Sequence, residues 1–283
     1  MQILRVIMIG DVVGDPGLEV LKRKLPALIK ETSADFVMVN GENAASGFGL
    51  TEAHLRKIFD AGADVVSTGN HIWEKREFWP VLDSEDRVLR PMNYTDESPG
   101  RGYVLLEKSS PCGTILWLAI NLQGREFMSL LECPFKTADQ CISGIGTPIN
   151  TMHPLLDSEG KLPEELQQKP LILVDFHAES SREKEAMAYY LDGRVSVLAG
   201  THTHVQTSDE RILPKGSAYI TDLGMTGILD EIIGMDTKIC LDRARNQVLY
   251  RMEVAAPGGK TDVQGIIVEI DAETRKAVSI KRL

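Results

Sequence analysis

The sequence predicts an α/β fold in which two sheets pack face to face and helices flank them. In the first third of the chain, short apolar runs alternate with segments of helical periodicity, and each run ends in a polar loop that contains glycine. This strand–helix–strand alternation is typical of parallel strands joined by right-handed crossovers. The tail instead contains successive strand patterns, which favours antiparallel pairing in the same sandwich.

Three strands are predicted early in the chain, at residues 3–9, 35–40 and 64–68. Between the first two, leucines recur at three- and four-residue intervals over residues 18–29, which predicts a helix. Before the third strand, Thr51 is positioned to cap a second helix that carries apolar residues on one face.

The rest of the chain predicts further strands around a polar excursion. The excursion, around residues 143–170, is rich in glycine, proline and polar residues. The predicted strands cover 102–108, 114–120, 171–175, 195–199, 217–221, 247–254, 262–270 and 276–282. Because strands with polar loop motifs resume after the excursion, we expect one domain over residues 1–283.

Composition and charge limit the function. The chain has 283 residues, 43% of them hydrophobic, and a formal net charge of −10. That charge argues against coating a nucleic-acid duplex, although bound metal ions would still allow a small phosphorylated substrate. No apolar run approaches the ~20 residues that a membrane span needs. We expect a cytoplasmic protein without membrane association, whose four cysteines are reduced and mostly buried.

Polar residues with metal-binding side chains follow five of the predicted strands. The candidate ligands are Asp11, Glu42, Asn43, Asn70, His177, His202 and His204, and His71 adjoins them. Ligands in open α/β sheets gather at the carboxyl ends of strands, so these loops can converge. Carboxylate, amide and imidazole groups without thiolate suit Mn, Fe or Zn.

Taken singly, each of these residues also fits a purely structural role. An aspartate after a strand is often a turn former, as Asp11 could be. A lone histidine commonly hydrogen-bonds to nearby backbone. The His202-Thr203-His204 stretch is stronger, because alternate side chains on a strand end share one face. The ordered conjunction of all five loops favours a metal site.

The motif order resembles the calcineurin-like metallophosphoesterase superfamily and, within it, the YmdB-type bacterial phosphodiesterases. The similar stretches span nearly the whole chain: Ile9–Gly14, Asn40–Ala44, Asn121–Arg125, Val174–Glu179, Gly200–Thr207, Arg211–Gly216 and Thr221–Gly227. The resemblance implies a four-layer α/β/β/α sandwich of two mixed sheets flanked by helices, with two metal ions at the strand ends.

The resemblance also implies a ligand assignment. One metal would take Asp11, Glu42, Asn43 and His204, and the other would take Glu42, Asn70, His177 and His202, with Glu42 bridging. Three positions depart from the superfamily pattern: Val13 replaces a histidine, Glu42 replaces an aspartate, and Ile72 replaces an acidic residue that orients the preceding histidine. The YmdB-type proteins are similar in the first two changes. The third leaves open what orients His71.

By this resemblance the protein is a dinuclear-metal phosphodiesterase that hydrolyses cyclic nucleotides, chiefly 2′,3′-cyclic monophosphates to 3′-nucleotides. A hydroxide bridging two Fe or Mn ions, or Zn ions, would attack phosphorus, and His71 would act as the general acid. Two alternatives stay open: a metal-dependent nucleotide-binding regulatory protein with little turnover, and a phosphomonoesterase or protein phosphatase on the same scaffold.

The substrate contacts and the oligomeric state are less defined by the sequence. Arg125 could pair with a phosphate or be a structural surface residue. Phe48, Trp73 and Tyr94 lie near the motif loops and could stack a base or pack in the core. We expect a homo-oligomer, since closed symmetric association is common among soluble proteins.

Overall fold

The alternating pattern of the first strand shows how the chain is layered. The computed structural model describes residues 2–143 and 169–283. In strand β1 (Ile3–Ile9), Leu4 and Met8 contact one apolar core, whereas Ile7 and Ile9 contact another. Successive side chains of a strand point to opposite faces, so this sheet is covered by apolar groups on both sides.

The first sheet has six strands and is mixed. In spatial order these are β15 (Ala277–Arg282), β14 (Gly265–Asp271), β1, β3 (Phe36–Asn40), β4 (Val65–Ser67) and β5 (Val88–Leu89). The four strands from β1 to β5 are parallel, and β14 pairs antiparallel with both β1 and β15.

The second sheet is also six-stranded and mixed. In spatial order its strands are β10 (Arg211–Ile212), β11 (Ala218–Ile220), β9 (Val197–Thr201), β8 (Leu171–His177), β7 (Gly113–Gln123) and β6 (Tyr103–Ser110). The four central strands are parallel and both edge strands are antiparallel. A small third sheet contains β13 (Thr261–Asp262), β12 (Met225–Ile228) and β2 (Asp11–Val12).

Helices lie along the outer faces. They are α1 (Gly14–Thr32), α2 (Glu52–Asp60), α3 (Trp79–Ser84), α4 (Pro134–Ser143), α5 (Ser181–Leu191) and α6 (Thr237–Asn246), with 3₁₀ turns at Asn70–Glu74 and Arg76–Phe78. Three of them begin at a side chain that accepts a backbone N–H, as predicted for Thr51: the caps are Thr51, Ser180 and Asp236.

Three apolar clusters fill the spaces between the layers. The cluster between the sheets contains Phe36 and Trp117, whose rings stack with centroids 4.8 Å apart. A second cluster joins the first sheet to α1 and α2, and a third joins the second sheet to α5. The order helix, sheet, sheet, helix confirms the predicted α/β/β/α sandwich.

Two details of the prediction are wrong. Residues 247–254 form no strand beyond an isolated bridge at Val254, although their apolar residues alternate. The four cysteines are free thiols, as expected, but Cys141 alone is buried. The predicted excursion lies, except at its two ends, outside the described residues, and the single-domain assignment stays a prediction. Within residues 2–143 and 169–283 no helix is long and apolar enough to cross a bilayer.

Candidate active site

The carboxyl ends of strands from both sheets meet at one edge of the sandwich, and the predicted ligands lie together there. Strands β1, β3 and β4 of the first sheet, and β8 and β9 of the second, lead into the loops that carry them. Each of the seven residues has a side-chain atom within 3.7 Å of a side-chain atom of another. The fold therefore brings together residues that are far apart in sequence.

One group surrounds the imidazole of His177, the last residue of β8. Its Nε2 lies 3.0 Å from Glu42 Oε1, 3.0 Å from Asn70 Oδ1 and 3.0 Å from Nδ1 of His202. Ligand atoms of Glu42, His177 and His202 lie within 4.8 Å of one another. His202 Nε2 faces Glu179 Oε2 on the other side, at 3.2 Å.

A second group forms around Asn43. Its Nδ2 lies 3.1 Å from His204 Nε2, 3.3 Å from Glu42 Oε1 and 3.5 Å from Asp11 Oδ1. His204 Nε2 also lies 3.7 Å from Asp11 Oδ1, and its Nδ1 faces the carbonyl oxygen of Ile233 at 3.1 Å. Because Glu42 belongs to both groups, it joins them.

The chemistry of the two groups fits bound cations. A ring nitrogen carries at most one proton, yet His177 Nε2 has three polar neighbours at 3.0 Å. Asn43 Oδ1 is buried without a hydrogen-bond partner among the described residues. If the amide O and N of Asn43 are exchanged, the amide oxygen faces the carboxylates of Asp11 and Glu42. Three oxygens so close together are favourable only with a cation between them. The donor atoms suit Mn, Fe or Zn.

A buried chain of hydrogen bonds orients His177. Its Nδ1 lies 3.0 Å from Thr201 Oγ1, and Thr201 in turn donates to Asp175 Oδ1 at 2.6 Å. Asn40 and Ser67 donate to the other oxygen of Asp175. This network fixes which ring nitrogen faces the cluster, the usual role of residues behind a metal-binding histidine.

A buried ion pair supports the His202–His204 loop. Lys184 Nζ donates to Asp222 Oδ2 at 2.7 Å, and the two side chains are 1% and 0% exposed. The same oxygen accepts from Oγ1 of Thr203 at 2.7 Å and from its backbone N–H at 3.3 Å. Because Thr203 lies between the two histidines, this pair positions both. Asp222 belongs to the Thr221–Gly227 stretch but was not singled out as a site residue, and Lys184 carried no signal in the sequence.

Backbone geometry limits which residues can form these loops. A Cβ on Gly69 would lie 2.3 Å from the imidazole of His177 and 2.5 Å from Glu42 Oε2, so glycine is needed there. His202 and His204 have φ values of 98° and 62°, in the left-handed region that side-chain-bearing residues rarely adopt. Such strain is typical of functional loops that the surrounding structure holds in place.

Burial and mutual charge shift several pKa values in the cluster. Burial raises the pKa of Asp11 from 3.8 to about 6. Burial would also raise the pKa of Glu42, but the charge and hydrogen bond of His177 lower it to about 2. Burial would lower the pKa of His177, but Glu42 raises it to about 9. Burial and the charge of His177 lower the pKa of His202 to about 3. Perturbed, mutually dependent groups of this kind mark a functional site.

His71 lies at the rim of the cluster, beside Glu42, Glu74 and Phe48. Its backbone N–H donates to Glu42 Oε2 at 3.1 Å. Its Nδ1 lies 3.5 Å from Glu74 Oε1, and its ring meets that of Phe48 edge-on at 5.0 Å. Glu74 is therefore the carboxylate beside His71 that could orient it in place of residue 72, and the side chain of His71 is 27% exposed.

The other candidate contacts have structural neighbours. Trp73 packs edge-on against Tyr94 at 5.1 Å, and Tyr94 donates to Gln123 Oε1. The Arg125 guanidinium lies 3.5 Å from Cys133 Sγ. These contacts favour core packing for Trp73 and Tyr94 and a structural role for Arg125, which are alternatives that the sequence left open.

Comparisons with known proteins identify the family and agree with the fold. A family model described as YmdB-like protein matches residues 7–283. A Bacillus subtilis 2′,3′-cyclic-nucleotide 2′-phosphodiesterase is 41% identical, over 99% of this chain and 96% of its own. A crystal structure of a novel phosphatase from Mycoplasma pneumoniae aligns with a TM-score of 0.84 at 30% identity, covering 100% of this chain and 93% of that one. A Thermus thermophilus structure aligns with a TM-score of 0.81 at 35% identity, covering 99% and 98%.

Proposed function

The chain belongs to the YmdB-like family and is a phosphoric-ester hydrolase, and we propose that it is a dinuclear-metal phosphodiesterase that opens 2′,3′-cyclic nucleotides to 3′-nucleotides. The cyclic-nucleotide substrate is suggested by the Bacillus subtilis relative. The observation that carries the proposal is the pair of ligand groups joined by Glu42, with His71 at their rim.

In this proposal the two groups hold one metal ion each. Asp11, Asn43 and His204 would hold the first, Asn70, His177 and His202 the second, and Glu42 would bridge them. When bound, two Fe or Mn ions, or Zn ions, would activate water near neutral pH and neutralise the phosphoryl oxygens.

The chain's own residues would control the proton. The water oxygen bonds to phosphorus, the bond from phosphorus to O2′ breaks, and O2′ takes up a proton. His71 is placed to donate it: Glu74 engages Nδ1 at 3.5 Å, which leaves Nε2 to face the leaving oxygen.

The experiment that tests this function is product analysis. Purified protein is incubated with 2′,3′-cyclic AMP, and chromatography separates 3′-AMP from 2′-AMP. We expect 3′-AMP alone. Production of 2′-AMP would contradict the assigned bond, and hydrolysis of p-nitrophenyl phosphate but not of its bis ester would favour a phosphomonoesterase. Binding of the nucleotide without turnover would favour a regulatory role. The cytoplasmic location and homo-oligomeric state stay predictions.

A further inference from the structure

A cavity of 820 Å³ begins at His71 and extends away from the ligand groups. Phe48 and residues 250–257 also line it, and the latter overlap the segment where the predicted strand is absent. The cavity adjoins the group proposed to protonate the leaving oxygen. It is therefore placed to receive the nucleoside side of a substrate rather than the reacting phosphate.

Three cationic side chains line the cavity without forming an ion pair with any described residue. Lys75, Arg243 and Arg251 line it, and among the described residues none of them has a carboxylate within 4.0 Å. Arg243 instead donates to the backbone carbonyl of Tyr250.

The carboxylates that line the same cavity are mostly engaged elsewhere. Asp15 lies 3.4 Å from His54, and Glu74 lies 3.5 Å from His71. Glu253 is the remaining acidic group on the lining. None of these carboxylates is paired with Lys75, Arg243 or Arg251, which leaves the three cations available to a bound anion.

The cavity also has aromatic surface. Tyr250 is 41% exposed, and Phe48 is half-buried with its edge against His71. Cationic side chains beside accessible aromatic rings are the features by which proteins bind single-stranded nucleic acid, through the phosphates and by stacking of the bases.

Building on the proposed phosphodiesterase function, we propose that this cavity binds the nucleotide preceding a 2′,3′-cyclic phosphate at the end of a short single-stranded RNA. A cyclic mononucleotide has a single anionic group, the reacting phosphate, which the ligand groups would engage. The unpaired cations of the cavity therefore suit a second phosphate, one nucleotide away. Lys75, Arg243 and Arg251 would bind that phosphate, and Tyr250 would stack the preceding base.

The test compares the binding of two product-like ligands by isothermal titration calorimetry. These are adenosine 3′-monophosphate and the dinucleotide ApAp, which adds one nucleotide on the 5′ side. One partly exposed ion pair raises affinity by up to about fivefold. Two or three such pairs with the added phosphate therefore predict that ApAp binds about tenfold more tightly than adenosine 3′-monophosphate. The advantage should shrink as salt concentration rises.

Two variants locate the effect. Lys75→Gln combined with Arg251→Gln should abolish the advantage of ApAp. Arg245→Gln is the matched control, because Arg245 is exposed on the same helix as Arg243 but does not line the cavity, and it should keep the advantage.

Equal affinities in the unsubstituted protein, or an advantage that survives the double substitution, would overturn the inference. Hydrolysis of 2′,3′-cyclic AMP is measured on the same preparation. Its absence would overturn the proposed reaction, whereas an ApAp advantage in that preparation would still support the binding site.

Discussion

Replacing Lys184 by methionine should destabilise the protein markedly. The Lys184→Met substitution keeps the apolar stem but removes the ammonium that lies 2.7 Å from Asp222, at a site where both side chains are almost fully buried. Removing one partner of a buried ion pair costs about 3–5 kcal/mol. Asp222 would retain hydrogen bonds from Thr203 and Gly224, so we expect a loss near the lower end of that range.

The loss is measured as the change in free energy of unfolding in urea. Lys238→Met is the matched control, because Lys238 pairs with Asp242 at a similar distance of 2.8 Å but its side chain is 84% exposed. That variant should keep nearly the free energy of unfolding of the unsubstituted protein, because a solvated ion pair contributes little. A loss below about 1 kcal/mol for Lys184→Met, or one equal to that of the control, would refute the assignment of this pair as a main support of the loop.

Three further predictions concern the cluster itself. His71→Ala should lower turnover by about 10²–10⁴-fold with unchanged metal content by elemental analysis, and a parallel loss of metal would make His71 a ligand instead. Gly69→Ala should lower the free energy of unfolding in urea by about 1–3 kcal/mol and release much of the bound metal. Gly227→Ala is the control and should be tolerated, because its added Cβ would lie 3.5 Å from the nearest atom. Equal effects of the two substitutions would contradict the packing argument. In chelator-treated protein, the free energy of unfolding should fall as pH rises from 6.5 to about 9. The pKa of His177 is raised in the folded state, so His177 stabilises that state only while it is protonated. Urea titrations that show no fall across this range would contradict the His177–Glu42 pair.

The fold and the candidate ligands were readable from the sequence because both depend on local patterns. The alternation in β1 and the polar residues after β1, β3 and β4 are visible within a few positions of each other. Parallel strands place their carboxyl ends at one edge, so the convergence of the loops follows from the topology.

The supporting residues could not be predicted, because their roles depend on contacts distant in sequence. Lys184 lies on an exposed-looking helix, and lysines in such positions are normally solvated, yet its partner is 38 residues away. For residues 247–254 the local pattern predicts a strand that does not form. Their apolar residues alternate, but a strand also needs a neighbouring strand edge to pair with. Only Val254 finds one, through a bridge to Met235.

The central claim, that these loops hold two metal ions that support phosphodiester hydrolysis, is tested most directly by elemental analysis of freshly purified protein paired with hydrolysis of 2′,3′-cyclic AMP. We expect about two transition-metal ions per chain and turnover that a chelator abolishes and Mn or Fe restores. Protein that binds no metal after reconstitution with Mn or Fe, or that hydrolyses the substrate equally well without metal, would contradict the claim.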